Sequence, residues 1–267
     1  LVVMFLGVCA VYAAAQAGGP SLSGGALQSE PFLHPVDGMT PYTLRQNEFI
    51  YAQSIQTLPF PSWGFWGVTD RLTVQVDFLP WIFGLFSELG KPIPSLNARY
   101  QFTEQNGLLP AIGVESMFVY FWEGLDRFST ANISVRQAGA YAHVKPVVGY
   151  RLGERLSLSL SLGLDFTEHT EFTNVVSGAR STLSHSFTPN GSVSVSFRAA
   201  TWVSLHAAYT YGATLTYLEN VPAKHQITYG ARIAPFLWLD LGILNAMRVE
   251  LTAINAYFPV VDAWESF

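Results

Sequence analysis

Two short polar clusters contain the residue types that most often carry out enzyme chemistry. Glu168-His169-Thr170-Glu171 sets two carboxylates beside an imidazole, a combination that can bind a metal ion or transfer protons. The neighbouring residues alternate as in a β-strand, so Glu168 and Glu171 fall on opposite faces, which is poor geometry for a shared metal ion. Ser184-His185-Ser186 lies in a predicted loop and shows no local signature of a lipase or protease. We therefore predict no catalytic residues, no metal site and no cofactor.

A second set of residues places charges of both signs on the polar face of predicted strands. Arg99 and Glu115 stand at nearly equal distances from the turn between their strands, and so do Lys145 and Asp165. Antiparallel pairing brings each pair to about the same height on the inward face. The hypothesis is a charged belt of these four residues, which would order ions in a channel or stiffen a filled barrel. Seven further polar residues are predicted to point inward, namely Asp77, His143, Arg151, Arg198, His206, Arg232 and Glu250.

Long β-strands are the elements that must position these side chains. From Leu156 to Phe166, large apolar residues alternate with Ser, Gly and Asp, and a period of two puts all the large side chains on one face. The similar series from Val203 to Tyr217 is about fifteen residues long, whereas strands of globular proteins usually have about five or six. Strands are predicted near 42–56, 62–69, 72–83, 95–105, 108–122, 136–152, 156–171, 186–200, 203–218, 225–238 and 246–258.

The connections between these strands differ in length. Tight turns are predicted at 69–71, 105–107, 153–155 and 201–202. Longer links are predicted at 84–94, 123–135 and 172–185. Short turns therefore collect at one end of the sheet and long links at the other, as in membrane barrels. We predict an all-β fold, an antiparallel up-and-down transmembrane β-barrel of about 12 strands (about 10 to 12), and leave open whether its last strand is present.

The composition favours a membrane barrel over a soluble one. Of the 267 residues 49% are apolar and 12% are charged, against about 25% charged in a typical soluble domain. The polar faces carry mainly Ser, Thr, Gly, Gln and Asn, which suits a lumen, while the apolar faces suit contact with lipid. Five tryptophans are predicted to form two interface girdles, namely Trp66, Trp81, Trp122, Trp202 and Trp238. The alternative is a secreted soluble β-barrel whose apolar faces point inward around an apolar ligand.

The chain is predicted to divide into a targeting segment, a leader and a barrel. The apolar stretch in residues 1–17 ends in small residues, as a signal peptide does, and lacks a charged start. Residues 18–41 are predicted to be a flexible periplasmic leader, residues 42–258 the barrel, and residues 259–267 a tail or the start of a final strand. The net charge of −5 provides no basic field, so nucleic acid is not an expected partner.

Three segments of the predicted opening hairpins resemble a known family. They are Trp66-Gly67-Val68-Thr69-Asp70-Arg71-Leu72, Leu96-Asn97-Ala98-Arg99-Tyr100 and Leu109-Pro110-Ala111. These segments are similar to the transporter-like barrels grouped with the phenol-degradation meta-pathway outer-membrane proteins. The resemblance implies the outer membrane of a Gram-negative bacterium, with outer-membrane lipids and small-molecule solutes as partners, and passive passage of solutes rather than catalysis. A structural barrel with a filled lumen and a barrel enzyme acting on lipid stay open as alternatives.

Overall fold

The described part of the chain is almost entirely β-strand. The computed structural model describes residues 10–16, 40–54, 60–86, 90–122, 126–129, 133–212, 225–239 and 247–257. Over these ranges it contains one helix, α1 (Phe78–Phe86), and thirteen strands. The strands are β1 (Ala10–Gln16), β2 (Glu48–Ser54), β3 (Trp63–Thr69), β4 (Leu72–Asp77), β5 (Ser95–Thr103), β6 (Ala111–Phe121), β7 (Asp126–Ser129), β8 (Ile133–Leu152), β9 (Leu156–Asn174), β10 (Arg180–Ala200), β11 (Val203–Tyr211), β12 (His225–Ile233) and β13 (Arg248–Tyr257).

All described strands belong to one antiparallel sheet. Their order is β6-β5-β4-β3-β2-β1-β13-β12-β11-β10-β9-β8-β7, with an additional pairing between β6 and β8. β6 also pairs with β8 along its whole length. The twelve strands from β6 to β8 in this order therefore form a continuous ring of paired strands, here called the circuit. β7 pairs with β8 just beyond the residues that β6 occupies, so it continues the line of β6. The predicted antiparallel all-β barrel class is confirmed.

The distribution of polarity across the sheet is inverted relative to a soluble protein. On β9, Leu162 is 64% exposed whereas its neighbour Ser161 is 1% exposed. On β10, Val193 is exposed whereas Asn190 and Ser192 are buried, and on β8, Val144 is exposed whereas its neighbours His143 and Lys145 are buried. Burial of the polar face and exposure of the apolar face exclude the soluble arrangement in which the apolar faces point inward.

The outward apolar series has a defined height. On β9 it runs from Leu156 to Phe166, and on β10 it begins at Phe187, whose ring lies 5.1 Å from that of Phe166. At the opposite end, the rings of Trp202 and Trp238 lie 5.8 Å apart. The eleven residues of the β9 series match the roughly 9–11 residues that a tilted strand needs to cross a bilayer core.

One strand of the circuit comes from the segment assigned to a signal peptide. Residues 1–17 were excluded from the predicted barrel, whereas Ala10–Gln16 pairs with β2 over its whole length and with β13 over Ala10–Tyr12. β2 and β13 are both antiparallel to β1 and therefore run in the same direction. An antiparallel circuit consequently needs a strand between them, and Ala10–Gln16 supplies it. Removal of residues 1–17 as a signal peptide stays a prediction.

Several element boundaries differ from those predicted. The predicted strand 72–83 ends at Asp77 and continues as α1, because the run FLPWIFGLF is apolar without alternation and its proline lies in the first turn, where a helix tolerates it. The predicted strand 42–56 begins only at Glu48, after a turn in which Asn47 has a φ of 64°. The predicted long link 172–185 is wrong, since β9 and β10 extend to a short turn at residues 175–179. The predicted end of one strand at 212–218 lies partly outside the described residues. The predicted tail at 259–267 lies wholly outside them.

Candidate functional site

The first pair of the predicted charged belt forms a direct contact between adjacent strands. Arg99 on β5 and Glu115 on β6 are register partners, because both strands leave the same short turn. Nη2 of Arg99 donates to Oε2 of Glu115 at 2.8 Å, and both side chains are buried on the inner face. A buried guanidinium beside a carboxylate neutralises a charge that would be costly on its own.

The second pair of the belt is joined to the first by a histidine. Nζ of Lys145 lies 3.8 Å from Oδ1 of Asp165, but the register partner of Asp165 is His143. Nδ1 of His143 lies 3.7 Å from Oδ1 of Asp165, and its Nε2 lies 3.8 Å from Oε1 of Glu115. The structure thus brings the four belt residues and His143 together on the wall formed by β5, β6, β8 and β9.

Asp77 lies on the same wall, where β4 ends. Its carboxylate accepts hydrogen bonds from Nε2 of Gln75 at 2.7 Å and from Oγ of Ser95 at 3.1 Å. Asn97 on β5 donates a third, longer bond of 3.5 Å to the same carboxylate. Asp77 is therefore held by amide and hydroxyl groups and takes no part in the belt contacts described above.

A second charged cluster lies on the wall formed by β11, β12 and β13. Nε and Nη2 of Arg232 donate to Oε2 of Glu250 at 2.9 and 2.8 Å. Nε2 of His206 lies 3.8 Å from the other oxygen of Glu250. The register places Arg198, Ser204, Arg232 and Glu250 side by side across four strands. The lumen therefore carries two separate groups of charges rather than one continuous belt.

Residues 40–46, here called the strap, lie on the inside of the barrel at the short-turn end, against the neighbouring strands from β3 to β8. Oγ1 of Thr43 donates to the carbonyl oxygen of Asp70 at 2.7 Å, and the Leu44 N–H donates to Oγ1 of Thr73 at 2.8 Å. These contacts fasten the strap to the turn between β3 and β4. Residues 42–46 were predicted to belong to a strand of the barrel wall, which is wrong, because the first strand of this region begins at Glu48.

The strap also contacts the turn between β5 and β6 and the end of β8 through Tyr42. The Arg151 guanidinium carbon lies 3.7 Å from the centre of the Tyr42 ring, and the Tyr42 hydroxyl donates to Oε1 of Gln105 at 3.4 Å. Gln105 in turn donates to the Arg151 carbonyl oxygen at 2.9 Å. Burial raises the pKa of the Tyr42 hydroxyl, and the positive charge of Arg151 opposes part of that rise.

Two inward-facing glycines make room for the strap. A Cβ atom at Gly113 would lie 3.2 Å from Cα of Pro41, and one at Gly149 would lie 2.5 Å from its Cγ. Any larger residue at these positions of β6 and β8 would push the strap away from the wall. In the sequence, a glycine on the polar face of a strand was the signal that another segment of the chain packs closely against that strand.

Several buried polar atoms on β9 and β10 have no hydrogen-bond partner in the described structure. They are both carboxylate oxygens of Asp165, both side-chain amide atoms of Asn190, and the hydroxyl oxygens of Ser186 and Thr188. The ion pairs of Asp165 exceed hydrogen-bond distance. Such atoms require water or a polar solute, because leaving them unsatisfied is costly.

The predicted interface tryptophans have different surroundings. Four of them are exposed on the outside, namely Trp66, Trp81, Trp202 and Trp238. Trp81 belongs to α1, and its indole N–H donates to the carbonyl oxygen of Ser95 at 3.1 Å. Trp122 is partly buried and donates to the carbonyl oxygen of Pro92 at 2.7 Å. Their role as membrane girdles stays a prediction.

The two polar clusters with residue types suited to catalysis or metal binding lie on β9 and β10. Within the described ranges, no three His, Cys, Asp or Glu side chains lie close enough to hold a metal ion. His169 Nδ1 and Ser184 Oγ are 3.3 Å apart on the exposed outer part of the β9–β10 hairpin.

No helix among the described residues is long and apolar enough to cross a membrane.

Similarity to known proteins is found among solved structures. No protein-family model matches the chain, and no curated protein matches it. The chain is similar to the toluene transporter TbuX of Ralstonia pickettii, with 12% identity and a TM-score of 0.33. The match covers 78% of this chain and 66% of that transporter, so the chain spans about two thirds of its length.

Proposed function

We propose that this chain is an integral outer-membrane β-barrel through which small solutes pass by diffusion. The observation that carries the proposal is the inverted polarity of the barrel wall, with a polar inner face that leaves hydrogen-bonding atoms unsatisfied. Lipid is the solvent that suits the outer face, because exposed leucines and valines line it over a bilayer-sized height. The outer membrane is the bilayer in which such single-chain barrels occur.

The width of the circuit favours passage over a filled lumen. An eight-stranded barrel is just wide enough for its own side chains, whereas barrels of sixteen strands or more leave an aqueous channel. A circuit of twelve strands lies between these limits. Its inner face on β9 and β10 carries short side chains, among them Ser159, Ser161, Asn190 and Ser192, which leave space that longer residues would fill.

The path of a solute follows from the positions of the belt and the strap. A solute entering at the long-loop end would pass the belt on the wall of β5 to β9 and then meet the strap near the short turns. The belt side chains are held by ion pairs along one wall, so they narrow the lumen from that side without crossing it. The strap lies inside the mouth along β3 to β8, so it narrows the path there and is expected to limit the size of the solute.

Single-channel recording in a planar bilayer tests this function. We expect steady, small conductance steps from the detergent-refolded barrel, and larger steps after Pro41 and Tyr42 are both replaced by glycine. The matched control replaces Leu108 and Leu109, which are exposed in the turn between β5 and β6, with serine. A folded barrel, shown by heat-modifiable gel migration, that neither conducts nor lets sugars equilibrate across liposomes would overturn the proposal in favour of a filled structural barrel.

A further inference from the structure

We infer that the inner wall of β9 and β10 binds the hydroxyl groups of a small neutral solute. The site, here called the hydroxyl site, consists of Asp165 on β9 and of Ser186, Thr188 and Asn190 on β10, whose side-chain polar atoms have no hydrogen-bond partner among the described residues. This inference rests on the proposed function and deepens it, since it names the class of solute that the lumen would carry. A polyol with hydroxyl groups on adjacent carbons has the chemistry that the hydroxyl site fits.

The sheet register explains why these side chains share one face. Thr188 is the register partner of Asp165, and Asn190 is the register partner of Gly163. Because side chains alternate along a strand, Thr188 and Asn190 lie on the inner face of β10, opposite to the exposed ring of Phe187. Gly163 carries no side chain with which Asn190 could pair, so the amide of Asn190 is left for another partner.

The polar atoms of the hydroxyl site are buried deeply enough for a missing partner to be costly. Asp165 is 0% exposed and Asn190 is 4% exposed, and both carboxylate oxygens and both amide atoms lack a partner. A polar group in this position has given up its hydrogen bonds to bulk water and gains none from the described chain. Ser186 and Thr188 are partly exposed, and they form the side from which a solute reaches the two buried residues.

The charges around Asp165 are balanced, which favours a neutral solute. Nζ of Lys145 lies 3.8 Å from Oδ1 of Asp165, and Nδ1 of His143 lies 3.7 Å from the same oxygen. Both distances exceed hydrogen-bond length, so the ammonium group compensates the charge of the carboxylate and leaves its oxygens able to accept hydrogen bonds. A bound anion would lie against the carboxylate, and a bound cation would lie against the lysine.

A hydroxyl group suits the mixture of donors and acceptors in the hydroxyl site. An ionised carboxylate only accepts hydrogen bonds, whereas a threonine hydroxyl and an asparagine amide both donate and accept. The two oxygens of Asp165 can accept from two hydroxyl groups of one solute, while the amide of Asn190 donates to one of those hydroxyl oxygens. An apolar solute would leave all these atoms unsatisfied.

Equilibrium binding to the refolded full chain, followed by saturation-transfer NMR, tests the site without relying on conductance. Erythritol is compared with butane-1,4-diol, which has the same carbon chain and no adjacent hydroxyl groups. We expect saturable erythritol binding, about tenfold tighter than that of the diol, and about a tenfold loss in T188V and in N190A. The matched control is T228V on the inner face of β12, because the Thr228 hydroxyl already accepts a hydrogen bond from Gln226 at 3.3 Å.

Thermal unfolding gives a second readout. Because a ligand that binds only the folded chain stabilises it, erythritol should raise the unfolding temperature of the unchanged chain and of Thr228→Val further than that of Thr188→Val. Without erythritol, Thr188→Val should fold and unfold no more easily than the unchanged chain, since the hydroxyl that it removes has no partner. Failure of Thr188→Val to fold would contradict the inference.

Three binding results would also overturn it. They are equal binding of butane-1,4-diol, unchanged erythritol binding in both site variants with folding shown by gel migration, and a folded chain without saturable erythritol binding, which would mean that water alone fills the site. Erythritol binding by a barrel that does not conduct would leave the site standing and reject the channel. A conducting barrel that binds no erythritol would do the reverse.

Discussion

The guanidinium carbon of Arg151 lies 3.7 Å from the centre of the Tyr42 ring, which stacks the strap on β8. A cation over an aromatic face contributes about 0.5–2 kcal/mol, and this contact adds to the hydrogen bonds that fasten the strap to Asp70 and Thr73. The mouth of the lumen is thereby narrowed by a segment that lies outside the strand ladder.

Replacement of Tyr42 by alanine is expected to widen the mouth. The strap loses its contact with Arg151 and Gln105 but keeps its hydrogen bonds to β4, so the barrel should fold and conduct in larger, noisier steps. The measurement is single-channel conductance. Tyr42→Phe keeps the ring and is the control, for which conductance close to that of the unchanged chain is expected. Identical conductance in Tyr42→Ala would show that the strap does not restrict the path.

Alkaline pH is expected to loosen the strap. Because the pKa of Tyr42 is raised in the folded state, its neutral form stabilises the fold, and this contribution is complete below the unfolded pKa near 10. It is lost as pH rises through the higher folded value. Proteolysis of the strap should therefore accelerate above about pH 10. Tyr42→Phe cannot ionise at this position, so an equal acceleration in that variant would contradict the explanation.

Neutralising Glu115 is expected to affect both selectivity and stability. Glu115→Gln leaves Arg99 without its charged partner, and breaking a buried ion pair in this way costs about 3–5 kcal/mol. In a conducting barrel the reversal potential in a salt gradient should also shift toward anions. Glu171→Gln, on the outer part of β9, is the control because its partner Arg180 is largely exposed. Unchanged selectivity together with unchanged stability would remove the belt from the conducting path.

Cysteine labelling at two adjacent residues is expected to separate lipid from lumen. Leu160 is 45% exposed on the outside and Ser161 is 1% exposed on the inside of β9. In a variant in which Cys9 is replaced by serine, a lipid-soluble maleimide should label Leu160→Cys in vesicles and leave Ser161→Cys unmodified. A small charged thiosulfonate should give the opposite pattern if the lumen is hydrated. Labelling of both positions by the charged reagent alone would contradict a lipid-facing exterior.

The alternation of side chains was sufficient to predict most of the described strands and the Arg99–Glu115 ion pair, but neither β1 nor β7. Leu156 to Phe166 lies on β9 as expected, because six large residues at a period of two specify one face. Arg99 and Glu115 are register partners because a short turn fixes the pairing on both sides of it.

Other features, such as the Lys145–Asp165 contact, the strap and α1, depend on strand register and tertiary packing, which the alternation of side chains does not specify. Counting from Glu154 would have placed His143, rather than Lys145, opposite Asp165, and Lys145 reaches Asp165 diagonally past Gly163. Arg248 shares the inward face of Glu250 and could have been found by the same period of two. The strap and α1 were not predictable in this way, since neither has a strand period and both depend on tertiary contacts.

The β9–β10 hairpin continues past its apolar band, from Thr167 to Asn174 and back from Arg180, as far as a turn closed by hydrogen bonds from Val176 and Ser177 to the Asn174 side chain. At about 3.3 Å per residue, eight further residues carry this turn about 20–25 Å beyond the lipid once the tilt of the strands is included. In the proposed outer-membrane barrel, a hairpin of that length projects beyond the lipid headgroups. A peptide inserted beside Gly178 should therefore be displayed to antibodies on intact cells, which would make this turn a handle for surface presentation.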